Sequence, residues 1–244
     1  MSTILPVFRG KPLIEIPTEI PQAGFMEGDF GKAFFEEYKG RVKSDYDNVK
    51  SLNVLSYNNG IVRGSNPFAV VLANQILKQE GLRTASQADL EKILKINAMN
   101  LTGSYEDTAL VLRNEDNPNS YLAKNLRKQI KSRNPKQKMP VMIPLNRLKL
   151  RKDQSSDYGL AFNLTDETEL VYSPILCKES GNFDQKDINE KTGLPAKLGN
   201  GNRYLYTINS GLSRLFLYRS LSVDSDDGVG LGVSFDIGRV VLLN

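Results

Sequence analysis

The sequence predicts an α+β fold, an N-terminal run of short helices followed by a predominantly antiparallel β-sheet. Three observations carry that expectation. Capped segments of helical period crowd residues 29–138, apolar residues alternate by two through residues 139–244, and the two patterns follow one another instead of interleaving. A chain of 244 residues buries enough surface to fold without a disulfide or a metal. No repeat of solenoid length and no low-complexity tract is visible.

Residues 1–28 hold Pro6, Pro12, Pro17 and Pro21. Proline lacks an amide donor and holds the preceding residue extended, so this segment reads as an arm and not as a helix. It packs on its own domain or docks on a neighbouring subunit. Asp29 is placed to cap a helix over 30–43, with Phe30, Ala33, Phe34, Tyr38 and Val42 at helical spacing. Val49, Leu52, Val54 and Leu55 suggest a short strand, and Asn58-Asn59-Gly60 a turn. Asn66 and Pro67 then form a strong helix start, proline being suited to the first helical position. The helix they open is apolar on most sides and therefore buried, and Gly81 stops it. Ser86 with Asp89 forms a capping box for a helix to about Ala98. Ser104 with Asp107 suggests the same device for a helix over 105–113. Asn117-Pro118 opens one more, to about Ser132.

Beyond Pro140 the period changes. Tyr158, Leu160, Phe162 and Leu164 alternate, as do Tyr204, Tyr206 and Ile208, and again Val229, Leu231, Val233 and Phe235. Asp227-Gly228 and Asp236-Ile237-Gly238 read as hairpin turns. The expected divisions are the arm at 1–28, a mainly helical part at 29–138 and a mainly antiparallel part at 139–244, the last two able to share one core.

Charge is the least random feature. Between Lys124 and Lys152 stand eleven Lys and Arg and no Asp or Glu, in a protein whose net charge is +4. On a helical wheel Leu122, Leu126 and Ile130 fall on one side and Lys124, Arg127, Lys128 and Lys131 roughly opposite. Arg133, Lys136 and Lys138 follow in a basic turn. Arg147, Lys149 and Arg151 then alternate with Leu148 and Leu150, as on one face of a strand. One-sided rows of cations suit a polyanion, and nucleic acid foremost. The opposing reading is a solvated helix face and a charged sheet edge that resists aggregation, with Pro144 in keeping.

Composition excludes much chemistry. With no histidine and one cysteine, Cys177, there is no Ser-His-Asp or Cys-His catalysis, no internal disulfide, no four-cysteine zinc cage and no zinc-finger spacing. Gly228-Val-Gly230-Leu-Gly232 fits neither the dinucleotide nor the P-loop spacing and reads as a strand approached closely by another backbone. Asp224, Asp226 and Asp227 fail the calcium-loop pattern, since Val229 and Phe235 stand where its glycine and glutamate belong. Asp184, Asp187 and Glu190 read as a surface turn. The helices over 67–80 and 86–98 resemble a helix-turn-helix only in outline, the second carrying Lys92 and Lys95 against Asp89 and Glu91. The sheet tyrosines, Tyr172 and Tyr206 among them, read as core. Arg63, Gly64, Ser65 and Asn66 form a candidate anion site at a buried helix start.

The expected function is therefore non-enzymatic binding of a polyanion, nucleic acid first, through Lys124, Arg127, Lys128, Lys131, Arg133, Lys136, Lys138, Arg147, Lys149 and Arg151. The alternatives are an assembly protein exchanging residues 1–28 between subunits of a homo-oligomer, and a histidine-free enzyme using carboxylates or Mg²⁺. No catalytic residue, metal ligand or cofactor is assigned. No apolar stretch approaches a membrane span or a secretory h-region, so a cytoplasmic protein is expected.

Overall fold

A computed structural model, which describes residues 7–8, 11–12 and 23–243, has four α-helices among the described residues and mostly antiparallel sheets. The fold is α+β, as expected. Most of the arm expectation lies outside the described residues; within it, β1 (Val7–Phe8) and β2 (Lys11–Pro12) pair with each other and β3 is Ala23–Phe25.

α1 (Gly28–Tyr46) buries Phe30, Phe34, Tyr38 and Val42, the predicted stripe. Its cap is Glu27, with Asp29 in the first turn instead. Residues 47–54 form turns and not the expected strand, anchored where Tyr38 Oη donates to the Leu52 carbonyl at 2.8 Å. β4 (Ser56–Asn58) and β5 (Ile61–Arg63) make a hairpin. Asn59 and Gly60 join them at φ 53° and 80°, as a two-residue hairpin loop of positive φ requires.

α2 (Pro67–Leu77) is buried along most of its length, and the Asn66 side chain accepts from the Ala69 amide. Gly81 ends the following 3₁₀ turn in the left-handed region. β6 is Arg83–Thr84, and α3 (Gln87–Lys95) carries the complete Ser86–Asp89 capping box.

The helix expected over 105–113 is a strand, β7 (Glu106–Leu112), all seven residues of which are buried. Ser104 Oγ donates to the Leu101 carbonyl instead of capping, and Asp107 binds elsewhere. The apolar stretch 109–112 is covered on both faces, Leu110 and Leu112 by one core cluster and Ala109 and Val111 by another, and this burial overrides the apparent cap.

α4 is Ser120–Arg133, with Asn119 as its cap residue. Then come β8 (Val141–Pro144), a 3₁₀ turn over Leu145–Arg147, β9 (Leu148–Lys152), β10 (Leu160–Leu164) and β11 (Val171–Tyr172). β12 (Gly181–Phe183), β13 (Arg203–Thr207), β14 (Leu212–Leu217), β15 (Val223–Ser225) and β16 (Val241–Leu243) complete the chain. The main sheet runs β11-β8-β7-β14-β15-β13-β12, parallel only between β13 and β15. β16 pairs with both β3 and β6, and β9 with β10 forms a separate ribbon.

The strand expected through Val229–Phe235 is irregular chain, and Asp227-Gly228 joins no hairpin. Asp236-Ile237-Gly238 is a turn, with the Gly238 amide on the Phe235 carbonyl at 2.9 Å, but it leads into β16 and not into a returning partner. The largest core cluster draws on both halves, from Phe30 and Phe68 to Phe162 and Leu242. Phe68 stacks on Phe162 with ring centroids 4.6 Å apart. That contact holds α2 against the ribbon that carries Lys149, Arg151 and Lys152.

Candidate nucleic-acid interface

α4 lies along the outer edge of β10. Gln129 Nε2 donates to the Phe162 carbonyl at 2.9 Å, and its Oε1 accepts from the Leu164 amide at 2.8 Å. The side chain thus satisfies an edge that would otherwise be open. β9 pairs on the opposite edge of β10, with Lys149 across from Asn163. Helix and ribbon are therefore neighbours. Leu122, Leu126 and Ile130 point into the core and Leu148 and Leu150 do likewise, which turns the cations of both elements outward.

Six of the eleven cations are engaged by the chain itself. Lys131 reaches Glu115 at 3.0 Å and Arg127 the same carboxylate at 3.9 Å. Arg147 pairs with Glu169 at 2.6 Å, Arg151 with Asp153 at 2.8 Å and Lys152 with Asp47 at 2.7 Å. Arg133 donates to the carbonyls of Thr165 and Asp166 at 2.9 and 2.8 Å. Arg133, expected in the basic turn but found at the end of α4, and Arg147 from the strand row thus meet on one turn after β10, and that turn is acidic. There the rows converge and the protein neutralises them.

Five cations remain exposed with no ion pair among the described residues: Lys124, Lys128, Lys136, Lys138 and Lys149. Lys124 and Lys128 project from α4, Lys136 and Lys138 from the turn after it, and Lys149 from β9. Two tyrosines share this surface. Tyr121, in the first turn of α4, is 41 % exposed, and Tyr172, read from the sequence as core, is 46 % exposed. Lys138 Nζ lies 5.9 Å over the Tyr172 ring. Alternation alone could not show this, because β11 is an edge strand only two residues long and one side of it faces solvent.

The candidate anion site at the start of α2 is filled from within. The Gly64 amide donates to the Gly238 carbonyl at 2.8 Å and the Ser65 amide to Ser234 Oγ at 2.9 Å. Ser65 Oγ bonds Asp107 Oδ2 at 2.6 Å, and the Asn66 amide group donates to the carbonyls of Ser51 and Gly232 at 2.9 and 3.2 Å. Ser65 and Asn66 are buried, and only Arg63 of the four keeps partial exposure. Gly64 is required here: its φ is +95°, and a Cβ would lie 2.2 Å from the Val54 carbonyl oxygen. The niche serves folding.

Most other buried polar groups are also paired internally, the exceptions among the described residues being Glu106 Oε1, Asn146 Oδ1 and Arg239 Nε, which have no hydrogen-bond partner. Arg203 binds Glu91 at 2.6 and 2.7 Å under α3. Among the described residues Arg113 forms no ion pair with a carboxylate and donates instead to Leu176, Ser213, Thr207 and Ser225; burial lowers its pKa to about 10. Burial raises Asp224 to about 7, with Asp226 beside it adding to the shift. Among the described residues no three Asp, Glu or Cys side chains gather as metal ligands would, and no helix is long and apolar enough to cross a membrane. The chain matches no family model, and no curated protein or solved structure resembles it significantly.

Proposed function

We propose that the protein binds nucleic acid through the phosphate backbone, along a track formed by Lys124, Lys128, Lys136, Lys138 and Lys149. The observation that carries this reading is the division of the basic segment. Six of its cations are neutralised or tied to carbonyls at close range, while five lysines on adjoining elements form no ion pair among the described residues. A lysine is a mobile point charge that can follow a phosphate, and each phosphate it neutralises releases a counter-ion to solution. The arginines nearby are occupied in holding the turn and the ribbon, so they shape the track instead of contacting the ligand.

Titration of labelled oligonucleotides over a range of salt tests the proposal. Binding at low salt should weaken with a log–log slope of about −3.5 for a single strand if all five lysines meet phosphates. Charge reversal at Lys128, Lys136 and Lys149 should abolish it. Unchanged affinity in that variant, or an affinity indifferent to salt, would reject the track.

A further inference from the structure

We infer that the nucleic acid taken by this surface is single-stranded, with unpaired bases stacking on Tyr121 and Tyr172 while the phosphates follow the lysines between them. The inference rests on the reading of the lysine track as a phosphate-binding surface. It adds what that reading leaves open, namely which form of nucleic acid fits.

Tyr121 is exposed and yet held in place. Its hydroxyl donates to Asp153 at 3.0 and 2.9 Å, and Asp153 is in turn fixed by Arg151 at 2.8 Å and by the Ser155 amide at 3.1 Å. The phenol oxygen is anchored in a largely buried carboxylate while the ring stays outside, which makes a fixed platform. Tyr172 lies beyond the other end of α4, on the terminal strand of the main sheet, with the Lys138 ammonium above its ring. Ring and cation are presented together there, so a base on the ring would bring its phosphate within reach of Lys138.

α4 has 14 residues, so the helix between the two rings is about 20 Å long. Lys124 and Lys128 occupy its exposed side. A strand of several nucleotides spans that distance. A duplex keeps the faces of its bases stacked inside and has nothing to offer an exposed ring, whereas a single strand supplies both a charged backbone and free base faces.

The test is fluorescence anisotropy at low salt with three probes of equal length: oligothymidylate, a DNA duplex and an abasic sugar-phosphate strand. Wild type should prefer oligothymidylate to the abasic strand and to the duplex. Tyr172→Ala and Tyr121→Ala should each weaken oligothymidylate binding by about tenfold, in keeping with the loss of one stacked base, and leave the abasic strand unaffected. Tyr121→Phe keeps the ring and should bind nearly as wild type. The Tyr172 side chain makes no hydrogen bond among the described residues, so its variant stays informative should Tyr121→Ala fold poorly. The inference is overturned if duplex binds as tightly as single strand, or if the alanine variants lose nothing on oligothymidylate. It is equally overturned if they lose the same factor on the abasic strand. In those cases the lysine charge reversals still abolish binding if the phosphate reading stands, and loss-free charge reversal removes both.

Discussion

Arg214 and Asp107 form an ion pair between β14 and β7 in which both side chains are wholly removed from solvent, with Arg214 Nε donating to Asp107 Oδ1 at 2.6 Å. Burial pushes the Asp107 carboxyl upward and Arg214 opposes that shift. Ser65 Oγ and the Val233 carbonyl complete the cluster, each at normal hydrogen-bond length. The pair thereby ties the start of α2 and the chain before β16 to the central strands.

Removing one partner strands the other charge. Arg214→Met should cost about 3–5 kcal/mol, the range expected when a buried pair is broken. Asp107→Leu combined with Arg214→Met should cost less than the sum of the single changes, because neither charge is then left alone. Urea unfolding reads both. Additive losses would show that the two residues act independently.

Glu115 holds Arg127 and Lys131 beside the proposed track. Glu115→Gln should release them, tighten oligonucleotide binding severalfold and steepen the salt slope by about 0.7 for each additional phosphate contacted. The same salt titration measures it. A weaker complex would place the ligand away from this side of α4.

Asp224 titrates in the folded protein at about 7, above the ordinary aspartate value of 3.8. The native state therefore holds a proton that the unfolded chain releases near pH 4, and stability declines as the pH rises from about 4 to 7. Asp224→Asn should match wild type near the lower limit and exceed it at about pH 8 by a few kcal/mol at most. Thermal melts across that range check the sign. A wild-type advantage at the upper limit would show that Asp224 is stabilising when ionised.

Asn66 caps α2 and donates to the Ser51 and Gly232 carbonyls. Asn66→Ala loses all of these and leaves carbonyls without their donor, for a cost of about 2 kcal/mol or more. Asn66→Asp keeps the capping oxygen and should fall between the alanine variant and wild type in a denaturant melt.

Local signals were legible and distant ones were not. Asn66-Pro67, the Ser86–Asp89 box and Asn59-Gly60 act within a few residues of themselves, and each element starts or turns where those residues dictate. β7 was obscured because Glu106 and Asp107 are charged and Ser104 precedes them at a capping distance, while the partner of Asp107 lies 107 positions away. Val229 to Phe235 alternate like a strand, but the backbone approach of Gly232 to Asn66 and of Gly238 to Gly64 shapes them as a covering segment. The cation rows were visible as rows. Their neutralisation was not, since Lys152 finds Asp47 across 105 positions and Arg147 finds Glu169 across 22. The exposure of Tyr172 likewise depends on its strand lying at the sheet edge, which no periodicity encodes.

The position of β7 has a consequence for how the chain reaches its fold during synthesis. Its first neighbour, β8, follows closely, but its second, β14, ends only at Leu217. Until that residue has left the ribosome, one edge of a strand that is wholly buried in the finished fold stays unpaired, with Asp107 lacking its arginine. Long-range pairing of this kind is slow to form and leaves nascent chains open to association. The emerging first half should therefore depend on chaperones more than its helical content suggests, and ribosome-bound chains should resist protease only once β14 is available.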